Sequence, residues 1–277
     1  LVISVQINTA QLPSPDRSQD RVFTTKHAAI VLDGATAFTL TEIDAATYAD
    51  ALGQAVADQL RAENEVALSD AVAHAINKVA HRFDLRAGTS PSSTIAILRA
   101  RGALADLYVL GDSPIYYGTG DRVSELIDTR LIDLHLSESC RYRTRLREGT
   151  GYDAEHQALL KAMQERQRAS RNTRGGYWIA EADPSAAYYG LALELTPREL
   201  SWAVLATDGI TQPLMHAGQP DWPTIAAQSP DQLADMLAIW HDWERTRDPS
   251  GYRFPRAKRH DDKAIAAIAS VWDASEI

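Results

Sequence analysis

Six short apolar runs constrain this chain more than any other feature: Ala28 to Leu32, Ser93 to Leu98, Ala105 to Leu110, Ile115 to Tyr117, Ser201 to Ala206 and Ala264 to Val271. They are rich in Val, Ile, Leu, Ala and Tyr and bounded by turn residues, the pattern of buried or half-buried strands. Three of them run straight into an acid beside a small residue: Val31-Leu32-Asp33-Gly34, Val109-Leu110-Gly111-Asp112-Ser113 and Leu205-Ala206-Thr207-Asp208-Gly209. Acidic side chains therefore stand where strands stop. The opening stretch, Leu1 to Ile7, alternates apolar and polar residues and reads as a further strand, not as a signal peptide.

Between the first two of these runs, apolar residues recur twice at helical spacing. The first series is Ile43, Tyr48, Leu52, Val56 and Leu60, with Thr41 as its N-cap; the second is Leu68, Val72, Ile76, Val79 and Phe83, following Ala67. A third helix opens at Ser229-Pro230, a cap followed by proline at the first helical position, and carries Leu233, Leu237 and Trp240. From about Ser137 to Arg174 the chain is crowded with arginines (among them Arg141, Arg143, Arg145, Arg147, Arg166 and Arg171) and poor in strand pattern. It reads as a mobile, partly helical insertion. A solvated charged face explains it most simply; the functional reading is a lid that presents arginines to an anionic substrate.

A chain of 277 residues can bury the core of one large domain, and one domain is expected. The net charge of -9 speaks against a nucleic-acid backbone as the main partner, since that binding draws on Lys and Arg. No apolar run approaches bilayer-spanning length, so a cytoplasmic protein with no membrane partner is expected. The single cysteine, Cys140, rules out an intrachain disulfide and any multi-thiolate metal site.

Acids at strand ends suit hard divalent cations, which take oxygen ligands. Two such ions about 3.5 to 4 Å apart can activate water and neutralise a phosphoryl group. The chain offers Asp20, Asp33, Asp112, Asp208 and Asp261 or Asp262 for this purpose, all in loops or at strand ends. One Asp-Gly alone is more often a turn. The ordered set is the stronger signal.

That set, Ser18-Gln19-Asp20-Arg21, Asp33-Gly34, Pro91-Ser92-Ser93-Thr94, Gly111-Asp112-Ser113, Thr207-Asp208-Gly209 and Asp261-Asp262, resembles the ordered motifs of the bacterial-type PP2C (PPM) serine/threonine protein phosphatases over nearly the whole chain. The resemblance implies an α+β fold: a four-layer α-β-β-α sandwich of two antiparallel sheets flanked by helices, with a basic flap at about 137–190 and the metals in a cleft at one edge. It implies a hydrolase acting in signalling on phosphoserine and phosphothreonine in phosphoproteins, through a hydroxide bridging two Mn²⁺ or Mg²⁺ ions, with a third ion bound more weakly. By position, Asp33 would bridge both ions, the Gly34 carbonyl would complete one site, and Asp208 and Asp261 would ligate the other. Asp20 would act directly or through water, Asp112 would hold the third ion, and Asp262 stands where the family often has Asn. Asp33 and Asp208 thus become the catalytic expectation, with Arg17 as phosphate grip.

The chain departs from the family at three places. Pro15 stands where an arginine usually grips the phosphate, leaving Arg17, two residues away; Gln19 replaces an acid; and Ala35-Thr36 follow Asp33-Gly34 where relatives carry His or Met. The alternative is therefore a catalytically weak or inactive PP2C-like regulatory or binding module. Other phosphatase chemistries fail on spacing: Cys140 is followed six residues on by Leu146 and not by arginine, and Asp33 is followed two residues on by Ala35 and not by a second aspartate. Ser113 lacks a Gly-x-Ser-x-Gly elbow and reads as a turn residue. His260 is either a proton donor or a solvated loop histidine, while Tyr177 and Trp178 read as core packing.

Overall fold

Successive side chains of a strand point to opposite faces, and the central strands of this protein are buried on both. In β3 (Ala28–Leu32), Ala28, Ile30 and Leu32 pack against helices, whereas Ala29 and Val31 face a second sheet. The computed structural model describes residues 6–35 and 43–272. Within them, one sheet runs in the order β10 (Leu191–Leu195), β7 (Leu104–Leu110), β6 (Ile95–Arg101), β3 and β2 (Arg21–Thr24). The other runs β1 (Asn8–Leu12), β12 (Lys263–Ile268), β11 (Trp202–Ala206), β8 (Ile115–Thr119) and β9 (Arg122–Leu126). Every pairing in both is antiparallel.

The sheets pack face to face through small and branched residues, including Ala29, Val31, Ala96, Leu98, Leu205 and Ala266. On the outer face of the first sheet lie α1 (Ala45–Ala62) and α2 (Leu68–Arg82), which bury Tyr48, Leu52, Val56, Val72 and Ile76 against Ile30, Leu32 and Ile97. On the outer face of the second lie α6 (Trp222–Ala226) and α7 (Pro230–Thr246), whose Leu233 and Leu237 meet Val204, Ile265 and Ala267. Trp222 stacks on Tyr116 of β8 with ring centroids 3.7 Å apart. The result is the four-layer α-β-β-α arrangement. No helix of the described residues is long and apolar enough to cross a membrane.

Local chemistry sets the boundaries. α7 opens with a full capping box, in which Ser229 and Gln232 satisfy each other's backbone N–H groups, ahead of Pro230. α1 is capped by Asp44, whose carboxylate accepts the Thr47 N–H, so the helix starts after Ile43; Thr41, the cap expected from sequence, lies outside the described residues. The strand expected at Leu1 to Ile7 is displaced: Gln6 and Ile7 precede it, β1 begins at Asn8, and Leu1 to Val5 lie outside the described residues. The run from Ser93 to Leu98 divides at Thr94, because β5 (Ser92–Ser93) pairs with β4 (Gly34–Ala35) in a ribbon of its own. The last run ends at Ile268, short of Val271.

The arginine-rich segment forms two helices, α3 (Ser137–Arg147) and α4 (Ala154–Ser170), joined by a short loop. They close on a small core of Tyr142, Leu146 and Leu159. The hairpin docks on the loop ahead of β12, where His156 Nε2 donates to the Ala257 carbonyl at 2.8 Å. Three of its arginines are held by carboxylates internally or at its root. Arg145 pairs with Asp153 (2.6 Å) and Glu155 (2.7 Å), and Arg166 with Glu138 (2.8 Å). Arg171 forms a buried pair with Glu181 at 3.0 Å. α5 (Asp208–Ala217) springs directly from the end of β11.

Candidate functional site

Asp33 leaves the end of β3 and Asp112 the end of β7, and one threonine ties the two loops together. Thr94 Oγ1 accepts the Asp33 N–H at 3.1 Å and shares a hydrogen bond of 2.6 Å with Ser113 Oγ. Gly111, between these groups, has φ +87°, and a Cβ there would lie 2.9 Å from Thr94 Cγ2. Only glycine meets both conditions. The Ser-Ser-Thr run that sequence reasoning noted is thus the brace that holds Asp33-Gly34 beside Gly111-Asp112-Ser113.

A second brace joins the two ends of the described chain. Thr207, at the end of β11, donates its hydroxyl to Asp20 Oδ2 at 2.7 Å, and the same oxygen accepts the Ala264 N–H at 3.0 Å. Asp262 accepts the Gln19 N–H at 2.6 Å. Asp208 occupies the first turn of α5, where backbone N–H groups favour a carboxylate, and accepts from Gln212 Nε2 at 2.8 Å. Next to it, Gly209 lies so close to the strand entering β12 that a Cβ would fall 1.8 Å from the Asp262 carbonyl oxygen.

The aspartates act on one another electrically. Burial, then the charges of Asp20, Asp208 and Asp261, push the Asp33 carboxyl well above its ordinary range. Burial does the same for Asp20, against the Thr207 hydrogen bond and together with Asp261, Asp262 and Asp208. Asp208 is pushed up to about 7 by burial, then by Asp261 and Asp112, against the charge of Lys258. Asp112 is raised by burial and by Asp128. Sequence-distant acids from both sheets therefore converge on one cluster, to which Asp262 contributes from its place against Gln19.

The cation nearest this cluster is Lys258, whose Nζ lies 2.7 Å from Asp261 Oδ1. Against desolvation, Asp261, Asp33 and Asp208 hold its ammonium above the ordinary range. The loop that carries it is organised by the buried Arg256–Asp248 pair (2.8 Å) and by Lys263, which donates to Glu244 Oε2 and to the Asp261 carbonyl, each at 3.0 Å. His260 is half-buried, with Nδ1 3.3 Å from Glu244 Oε2. His241, Glu244 and His260 bring ligand atoms within 4.8 Å of one another, but the Lys263 ammonium already occupies their carboxylate.

Arg17 closes the Ser14–Arg17 turn through its N–H and is exposed. Tyr177 and Trp178 are buried, Trp178 stacked on Tyr189 at 3.5 Å. Two cavities open beside the cluster, of about 300 and about 750 Å³. Both are bordered by Asp112, Asp208 and the flap residue Arg143. Sequence reasoning missed Thr207 and Lys258. A threonine before Asp-Gly was visible in the motif, but a lysine three residues ahead of Asp261 gives no signal until the loop is folded.

No protein-family profile matches the chain, and no curated protein is similar to it in sequence. Its fold is nevertheless that of solved serine/threonine phosphatases. PppA, described as a key regulatory component of T6SS in Pseudomonas aeruginosa, superposes with TM-score 0.54 at 14% identity, covering 96% of this chain and 99% of that one. The PPM Ser-Thr phosphatase MsPP from Mycobacterium smegmatis, in complex with cacodylate, gives 0.54 at 16% identity, covering 96% and 98%. The catalytic domain of the serine/threonine protein phosphatase PstP, in complex with 2 manganese ions, gives 0.52 at 11%, covering 96% and 99%. The chain has the PP2C (PPM) fold.

Proposed function

We propose that this protein is a metal-dependent phosphatase of the PP2C type, hydrolysing phosphoserine and phosphothreonine esters in proteins. The observation that carries the reading is the convergence of Asp20, Asp33, Asp208 and Asp261: burial and the neighbouring negative charges raise the proton affinity of Asp20, Asp33 and Asp208, with Lys258 as the main counter-charge. Such a group of carboxylates, Asp20 buried and Asp33, Asp208 and Asp261 half-buried, is costly unless cations share it. The donor set is all oxygen, which fits Mn²⁺ or Mg²⁺ and not a thiophilic ion.

Asp33, Asp208, Asp261 and Asp20 would hold two cations, with the Gly34 carbonyl and Asp262 at the margin, and Asp112 a third ion. Bound there, divalent cations supply charge neutralisation at the phosphoryl group and acidify water at neutral pH. The chain's own part is positioning. Thr94 and Thr207 fix the carboxylates by hydrogen bonds to backbone and side chain, so little reorganisation accompanies the reaction. Cations bound there would counter the burial and neighbouring charges that raise the proton affinity of Asp33 and Asp208, so binding is coupled to proton release.

The test is hydrolysis of an aryl phosphate and of a phosphothreonine peptide by the purified chain with Mn²⁺ or Mg²⁺, repeated with chelator. Cation-dependent turnover abolished by Asp33→Ala supports the enzyme. Absence of turnover alongside calorimetric cation binding supports instead the regulatory or binding module.

A further inference from the structure

Six residues border both cavities beside the aspartate cluster: Asp112, Ile132, Arg143, Asp208, Gln212 and Phe254. Arg143 is the cation among them. It reaches this place from α3 of the flap, whereas Arg17 borders neither cavity. Its state differs from that of Arg145, Arg166 and Arg171, each held by a carboxylate. Arg143 is half-buried, its Nε is shut off from solvent without a hydrogen-bond partner, and among the described residues its guanidinium meets the Tyr142 ring, at 5.8 Å, and no carboxylate.

A shielded guanidinium N–H without an acceptor is destabilising until an acceptor reaches it. In a region rich in acids, an arginine that pairs with none of them has donors free for an anion. The planar fork of N–H groups matches two oxygens of a phosphate, a geometry lysine cannot reproduce. Arg143 lines both cavities together with Asp208, Ile132 and Phe254, so an anion held beside the cluster in either cavity has this guanidinium in the same lining.

We propose that Arg143 grips the substrate phosphate from the flap, in the part that an arginine ahead of Asp20 would otherwise play. This rests on the phosphatase reading. The flap then supplies affinity and orientation for the phosphoryl group, and the aspartate cluster holds the cations.

The test uses the full chain with Mn²⁺ and compares wild type with Arg143→Ala, Arg143→Lys, Arg17→Ala and Arg141→Ala, the last removing the same charge from an exposed position on α3. The readouts are KM and kcat for an aryl phosphate, the inhibition constant of inorganic phosphate, and calorimetric affinities for Mn²⁺ and for phosphate. Arg143→Ala should raise both KM and the phosphate inhibition constant about 10- to 100-fold, with partial recovery in Arg143→Lys and no comparable change in Arg141→Ala. Unchanged phosphate affinity in Arg143→Ala, with or without tighter Mn²⁺ binding, overturns the proposal and leaves the phosphatase reading standing. So does a loss confined to Arg17→Ala. If wild type shows no turnover, the phosphatase reading falls; phosphate binding that Arg143→Ala abolishes then still supports the grip, and absence of phosphate binding to wild type overturns it too.

Discussion

The Thr207 hydroxyl bonds to Asp20 Oδ2 at 2.7 Å across 187 positions of sequence, while its oxygen receives the Ala264 N–H at 3.0 Å. One side chain thus satisfies a carboxylate and a backbone donor in a place where water does not reach. Thr207→Val keeps the shape and removes both bonds. It should cost about 1–3 kcal/mol of stability in urea unfolding, with Thr207→Ser close to wild type. Equal stability of valine and threonine would mean that the brace contributes nothing.

Asp208→Asn should separate stability from function. It removes one of several like charges from a buried cluster, so the metal-free variant should melt higher than metal-free wild type at pH 8. It should also weaken Mn²⁺ binding at least about tenfold, as loss of a charged ligand does, and turnover should fall with it. Thermal scans with chelator, paired with calorimetric titration of Mn²⁺, read the two effects separately.

The pH dependence follows from the same shift. Asp208 titrates near 7 in the folded, metal-free protein and near 3.8 when exposed. Asp20 and Asp33 are displaced in the same direction. Raised folded values mean that the folded state binds more protons, so stability is complete below the unfolded value and is lost as pH rises through the folded one. The melting temperature of chelated protein should therefore fall between pH 5 and 8. Saturating Mn²⁺ should flatten or reverse that slope; an identical slope with and without cation would place the cation elsewhere.

Gly209→Ala puts a methyl group 1.8 Å from the Asp262 carbonyl oxygen, which belongs to the strand entry that carries Asp261. Backbone must move, and overpacking of this kind costs about 3 kcal/mol or more. Soluble yield, urea midpoint and Mn²⁺ affinity should all drop. A fully stable variant with intact cation binding would show that the β12 entry yields more easily than its packing suggests.

The strands legible in the sequence are the six interior ones, β3, β6, β7, β8, β11 and β12. The four edge strands, β1, β2, β9 and β10, were displaced or missed, and the reason is solvent. Arg122-Val123-Ser124-Glu125 of β9 is exposed along its length, and Ala192-Leu193-Glu194 of β10 likewise, so neither presents the apolar run that marked the interior. In the candidate site, the acids could be found because they adjoin strands: Asp33, Asp112 and Asp208 follow the buried β3, β7 and β11, and Asp261-Asp262 lead into the buried β12. Lys258 and Arg143 could not: one sits on a loop shaped by the buried Arg256–Asp248 pair, the other on a charged helix where Arg145, two residues on, finds carboxylates. Which arginine stays unpaired is decided by tertiary contacts that no spacing rule contains.

The Thr207 brace and the Gln19–Asp262 bond have a consequence for the chain during its own synthesis. The loop bearing Gln19 and Asp20 emerges long before its partners, Thr207 lying 187 positions after Asp20 and Asp262 lying 243 after Gln19. A ribosome-bound chain that stops before residue 262 lacks the assembled cluster, however well its first sheet has formed. Cation capture should accordingly appear all at once, only after residue 262 has left the ribosome, and a product that stops short of it should bind no cation at the cluster.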